Sequence, residues 1–73
     1  MDLEPGKIYR VVKHTKVCVY DANDCVMTDA VDLPIGTLLT YIGPDADDGD
    51  VFVNPDGVKF CLHANDLAAI EVA

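Results

Sequence analysis

Val51-Phe52-Val53-Asn54-Pro55-Asp56-Gly57-Val58-Lys59-Phe60-Cys61-Leu62 is the stretch on which the fold turns. Two short runs of β-branched and aromatic residues flank the tetrapeptide Asn54-Pro55-Asp56-Gly57. Proline suits the first central position of a type I turn, and glycine supplies the positive φ that closes a hairpin with a bulge. The segment therefore reads as a β-hairpin with arms Val51–Val53 and Val58–Leu62. Towards the N-terminus, Asp45–Asp50 is a charged loop, and Thr37–Ile42 is a strand ended by Gly43-Pro44. Leu33-Pro34-Ile35-Gly36 breaks the chain. Lys16–Tyr20 and Cys25–Met27 read as a second hairpin around the turn cluster Asp21–Asp24. Lys7–Lys13 is the first strand, after a turn at Pro5-Gly6 and before a bend near His14-Thr15. Towards the C-terminus, His63–Leu67 is too short for a stable α-helix and suits one 3₁₀ turn. Ala69–Val72 closes as a short strand. No stretch of ten or more residues keeps a 3.6-residue apolar period. The class is all-β, and short strands punctuated by turns point to a small barrel or sandwich.

The chain has 73 residues, room for one domain spanning residues 1–73. A domain of this size buries only about 60% of its unfolded surface, so its core is thin. Hydrophobic residues make up 51% of the chain, too many for a disordered acidic tail. The apolar runs fall far short of the roughly 20 residues a membrane span requires. Met1-Asp2-Leu3-Glu4-Pro5 is acidic and lacks the apolar stretch of a secretory signal, so a cytoplasmic location with no membrane partner is expected. Cys18, Cys25 and Cys61 fit a reducing compartment, because an odd count without a signal argues against a disulfide framework. Their simplest role is as small apolar residues.

Thirteen acidic residues face five basic ones, a net charge of −8. Nucleic-acid affinity comes mainly from cations that neutralise phosphates. Lys7, Arg10, Lys13 and Lys16 cluster near the first strand, but four cations among thirteen anions make a poor phosphate track. Direct nucleic-acid binding is not expected. The same charge favours a basic protein partner and speeds encounter with one. Its simpler role is to keep a small protein soluble.

In their order, these segments resemble an SH3 domain, and more closely the bacterial SH3-like (SH3b) type, over roughly residues 7–72. Val17-Cys18-Val19-Tyr20-Asp21 resembles the opening alanine-leucine-tyrosine-aspartate strand, and Leu33–Leu39 the diverging turn with its following strand. Asp48–Val53 sits where the family has an acidic loop and an aromatic strand start. Asp56-Gly57 matches the distal hairpin, and Phe60–Leu67 a strand and its following 3₁₀ turn of the bacterial type. The resemblance implies a five-stranded SH3-like barrel with one 3₁₀ turn. Neither catalysis nor a cofactor is expected, because no nucleophile motif is present and a barrel of 73 residues leaves little volume for a pocket. The resemblance also implies what the protein does not bind. Proline-rich peptides are held in a groove of several aromatics, yet this chain has no Trp, Val51-Phe52 stands in its place, and Ala22 and Asp66 replace two family tyrosines. Of that aromatic set only Tyr20 remains. By analogy, small acidic stand-alone domains of this kind look like phage-encoded accessory proteins that act on host machinery.

Four candidate sites follow. His14, Cys18, Cys61 and His63 carry zinc-ligand atoms, but the spacings His-x-x-x-Cys and Cys-x-His lack a knuckle. Asp45, Asp47, Asp48 and Asp50 offer hard oxygens without the EF-hand glycine and glutamate. Cys25 with His14 or His63 could form a nucleophile–base pair, although no nucleophile motif is present. The favoured site is an acidic rim of two loops, Asp29 and Asp32 in one and Asp45, Asp47, Asp48 and Asp50 in the other, around an apolar centre of Tyr20, Tyr41 or Phe52. This rim is expected to dock a basic surface on a protein partner, or to imitate DNA phosphates and so inhibit a nucleic-acid-binding protein. A metal-binding or thiol-redox module built on Cys18, Cys61 and His63 is the alternative.

Overall fold

The Asn54–Gly57 turn forms as its residues dictate. In the computed structural model, which describes residues 3–20, 26–44 and 49–73, Gly57 has φ +88° and donates its N–H to Asn54 O at 3.0 Å. The Asn54 side chain reinforces the bend, its Oδ1 accepting from the N–H groups of Asp56 (3.0 Å) and Val58 (2.9 Å). These bonds set the register of β5 (Asp50–Val53) against β6 (Lys59–Leu62), with Phe52 opposite Phe60 and Val53 opposite Lys59.

Pairing extends in both directions from this hairpin. On one side, β4 (Leu38–Pro44) pairs with β5, placing Tyr41 opposite Phe52 before an irregularity between Tyr41 and Gly43. Beyond it lie β1 (Ile8–Val11) and β7 (Ile70–Val72), with Tyr9 facing both Leu39 and Val72. On the other side, β6 pairs with β2 (Thr15–Tyr20), which pairs with β3 (Val26–Leu33). The result is one antiparallel sheet in the order β3-β2-β6-β5-β4-β1-β7. Its terminal strands β3 and β7 do not pair with each other, so the sheet is not closed by hydrogen bonds.

The all-β class stands, with seven strands where five were expected. The first strand ends at Val11, short of the expected Lys13, because the N–H groups of Val12 and Lys13 both turn to Ala69 O, at 2.7 and 3.2 Å. The returning arm of the second hairpin is longer than Cys25–Met27, because backbone pairing with β2 carries the chain on as strand to Leu33. The turn after β6 is also fuller than a 3₁₀ turn. In α1 (Ala64–Leu67), His63 O accepts from Leu67 N–H at 3.2 Å as well as from Asp66 N–H at 2.9 Å. No helix among the described residues is long and apolar enough to cross a membrane.

Alternation along the strands builds the core. Tyr9 and Val11, Leu39 and Tyr41, Phe52, and Phe60 and Leu62 face one side, joined by Val17, Leu33 and Ile70. Phe52 is the hub. Tyr9 meets it edge-on at 5.9 Å and 87°, and Tyr41 packs tilted at 5.1 Å and 49°. Such aromatic pairs add about 0.5–1.5 kcal/mol each beyond their buried area. Both tyrosines reach polar partners, as buried hydroxyls must: Tyr9 Oη accepts from Glu4 N–H at 3.2 Å, and Tyr41 Oη donates to Asp50 Oδ1 at 2.8 Å.

Candidate functional site

The expected apolar centre is largely part of the core. Phe52 is fully buried and Tyr41 is 5% exposed, so neither presents a ring to a partner. The physical reason is pairing: Tyr41 and Phe52 are direct cross-strand neighbours on the inward face, where the thin core needs their bulk. Asp50 is bound to the same cluster through the Tyr41 hydroxyl. Burial, the hydrogen bond to Asp50 and the charge of that carboxylate push the Tyr41 phenol up to about 12. Asp50 thus serves as an acceptor at the mouth of the core. Of the three aromatics, Tyr20 alone keeps partial exposure, at the end of β2 opposite Val26.

Asp29 and Asp32 were expected in a loop, and the structure places both in strand β3. The side chain of Asp29 lies outside the described residues, as do Asp45, Asp47 and Asp48 entirely. Asp32 stands opposite Lys16, and its Oδ1 lies 3.2 Å from His14 Nε2. It therefore has cationic or polar company of its own. Register also separates the two aspartates whose side chains are described. Asp50 shares its face with the core residue Leu62, directly opposite, whereas Asp32 shares the outer face with Lys16 and Cys18. Asp32 and Asp50 do not form one rim.

The outer face carries a feature that composition did not reveal. Ile8, Leu38 and Ile42 are each more than two-fifths exposed and lie on β1 and β4, with Ile8 opposite Thr40 and Arg10 opposite Leu38. The signal was present in the alternation of Leu38-Leu39-Thr40-Tyr41-Ile42, but it is legible only once the tyrosine is assigned inward. At the end of this face Arg10 Nη2 meets Glu71 Oε1 at 2.9 Å, both about half exposed.

The thiol and imidazole set is partly assembled. Cys18 and Cys61 are directly opposite each other on β2 and β6, Cys18 half-buried and Cys61 buried. His14 lies beside Asp32, and His63 begins α1, where Asp66 Oδ2 accepts from the His63 backbone N–H at 3.0 Å. Asp66 Oδ1 accepts from Thr15 Oγ1 at 2.9 Å, fastening α1 to β2. Asp66 is therefore a structural cap. Among the described residues no three His, Cys, Asp or Glu side chains converge as metal ligands would. Cys25, and with it the candidate nucleophile–base pair, lies outside the described residues.

No protein-family model, curated protein or solved structure matches the chain.

Proposed function

We propose that this chain is a non-catalytic binding module that docks a basic protein surface, on an SH3-like scaffold. One observation carries the reading: five cations cannot neutralise thirteen carboxylates, so eight negative charges remain even if every Lys and Arg is paired. A surplus of this size, in a domain whose core is apolar, creates a field that attracts and orients a basic partner. The outer face of β1 and β4 supplies the apolar part. Interfaces combine an apolar core with a polar rim, and Ile42 is three positions from the acid-rich Asp45–Asp48 segment in sequence.

Element order supports the scaffold reading. The strand β2, the turn at Pro34–Gly36, the Asn54–Gly57 hairpin and one helical turn after β6 follow in the order of the opening strand, diverging turn, distal hairpin and 3₁₀ turn that the resemblance implies. The departures at the aromatic groove keep polyproline out of the proposal.

The test is position-specific. A fluorescent Lys/Arg-rich peptide is titrated against the wild type, against Asp45→Asn/Asp47→Asn/Asp48→Asn, and against a charge-matched control, Asp2→Asn/Asp21→Asn/Asp24→Asn. The proposal expects the first triple variant to lose affinity several-fold more than the control, and Leu38→Ser to weaken binding at unchanged charge. Equal losses in both triple variants, with Leu38→Ser silent, would reduce the effect to bulk charge and reject a docking site. If the protein also strips duplex DNA from a DNA-binding protein, the DNA-mimic form of the same reading is favoured.

A further inference from the structure

Cys18 and Cys61 face each other across the seam between β2 and β6. Their chain neighbours Val17, Val19, Phe60 and Leu62 turn to the core, so both thiols lie on the outer side of the sheet and point the same way. Directly opposed residues of an antiparallel pair have Cα atoms about 4.5–5.5 Å apart. That lies inside the window of about 4.4–6.8 Å in which disulfides form. Both cysteines stand as thiols. We propose that they form a reversible cross-strand disulfide when exposed to a small-molecule disulfide oxidant such as glutathione disulfide.

The chemistry balances as two exchanges. The Cys18 thiolate, half-exposed, attacks one sulfur of the oxidant, forming a mixed disulfide and releasing one small thiolate. Cys61 then gives up its proton to solvent and attacks the Cys18 sulfur, releasing the second small thiolate and leaving the Cys18–Cys61 bond. Two protein thiols are oxidised, and one small disulfide is reduced to two thiols. The order of attack follows from exposure. Cys61 Sγ is covered by the chain at residue 49, where a Cβ on Gly49 would lie 3.0 Å from it. Cys18 is only half-buried.

The bond would be labile. Opposed Cβ atoms across strands sit about 4.5–5.5 Å apart, whereas a disulfide draws them to about 3.5–4.5 Å. Closing it pinches the two strands together, and strained disulfides are the more easily reduced ones. Position gives the bond an effect. The β2–β6 register holds two residue pairs, Cys18 with Cys61 and Val19 with Phe60, and joins the β2–β3 hairpin to the rest of the sheet. Oxidation would add a covalent staple between that hairpin and β6, and reduction would return the seam to its backbone pairing alone.

The experiment uses the full chain carrying Cys25→Ser, folded and incubated with glutathione disulfide, with thiols counted by dye and products weighed by mass spectrometry. The expected result is loss of both thiols and of two hydrogens, no retained glutathione, and recovery with dithiothreitol. Peptide mapping of the oxidised wild type should show Cys18 joined to Cys61. The oxidised form should unfold at higher urea than the reduced form, since the bond closes a loop of roughly forty residues. Cys18→Ser in the same background tests the order without disturbing the buried thiol, and should leave Cys61 unmodified while folded. A lasting glutathione adduct on Cys18 beside an intact Cys61 thiol overturns the proposal, as does a wild-type disulfide that uses Cys25.

Discussion

Replacing Tyr41 by Phe separates the two jobs of this residue, filling the core and binding Asp50. The ring stays against Phe52, so packing is retained, and only the hydroxyl bond to Asp50 at 2.8 Å is lost. Hydrogen bonds to charged groups contribute about 1.5–3 kcal/mol, less where the carboxylate can be rehydrated. Asp50 is half-buried, so a cost of about 1 kcal/mol near neutral pH is expected. The dependence on pH has a definite sign. The Tyr41 phenol moves from 10.0 to about 12 on folding, so its stabilisation is complete below pH 10.0 and is lost as pH rises through about 12. One unit above the unfolded value, near pH 11, the wild type should have given up about 1.4 kcal/mol that the Phe variant never had. The gap between the two proteins should therefore close near that pH. Urea midpoints of both proteins at matched pH provide the assay, and comparison within each pH cancels effects common to the two. A gap that stays constant from neutral pH to about pH 11 would mean that ionisation of Tyr41 is not linked to folding.

Two glycines make a matched pair. Gly57 has φ +88° with open space around its missing Cβ, so Gly57→Ala should cost only the left-handed backbone strain of about 1–2 kcal/mol. Gly49 has a similar φ of +85°, but a Cβ there would meet Cys61 Sγ and the backbone Leu62 O, each at 3.0 Å, so Gly49→Ala should be clearly the more destabilising in urea melts. Phe52→Ala empties the hub of the aromatic cluster and should cost about 3–5 kcal/mol, enough to leave much of so small a domain unfolded by near-UV circular dichroism. Arg10→Ala breaks an exposed ion pair and should shift stability by less than about 1 kcal/mol, an effect that added salt erases in the wild type.

Local chemistry explains which parts of the molecule could be read in advance. The Asn54–Gly57 hairpin was legible because a proline, a glycine and an Asx side chain set its geometry within four residues. The extent of β3 was not, since Asp29 and Asp32 interrupt the apolar pattern and the segment is held as strand by its pairing with β2. Tyr41 and Phe52 illustrate a different difficulty. An aromatic on a short strand reads equally well as surface or as core until the face is assigned, and here a small core claims both. The opposition of Cys18 and Cys61, 43 positions apart, depends on register between non-adjacent strands, which no local motif encodes.

The claim on which the functional account rests is that uncompensated carboxylates drive binding to a basic surface. Affinity for the Lys/Arg-rich peptide, followed by fluorescence anisotropy from about 0.01 M to about 1 M salt, tests it most directly, because the screening length falls from about 30 Å to about 3 Å over that range. Affinity should fall steeply and continuously as salt rises, and only weakly in the Asp45→Asn/Asp47→Asn/Asp48→Asn variant. An affinity that does not change with salt, or that falls identically in that variant, would contradict it.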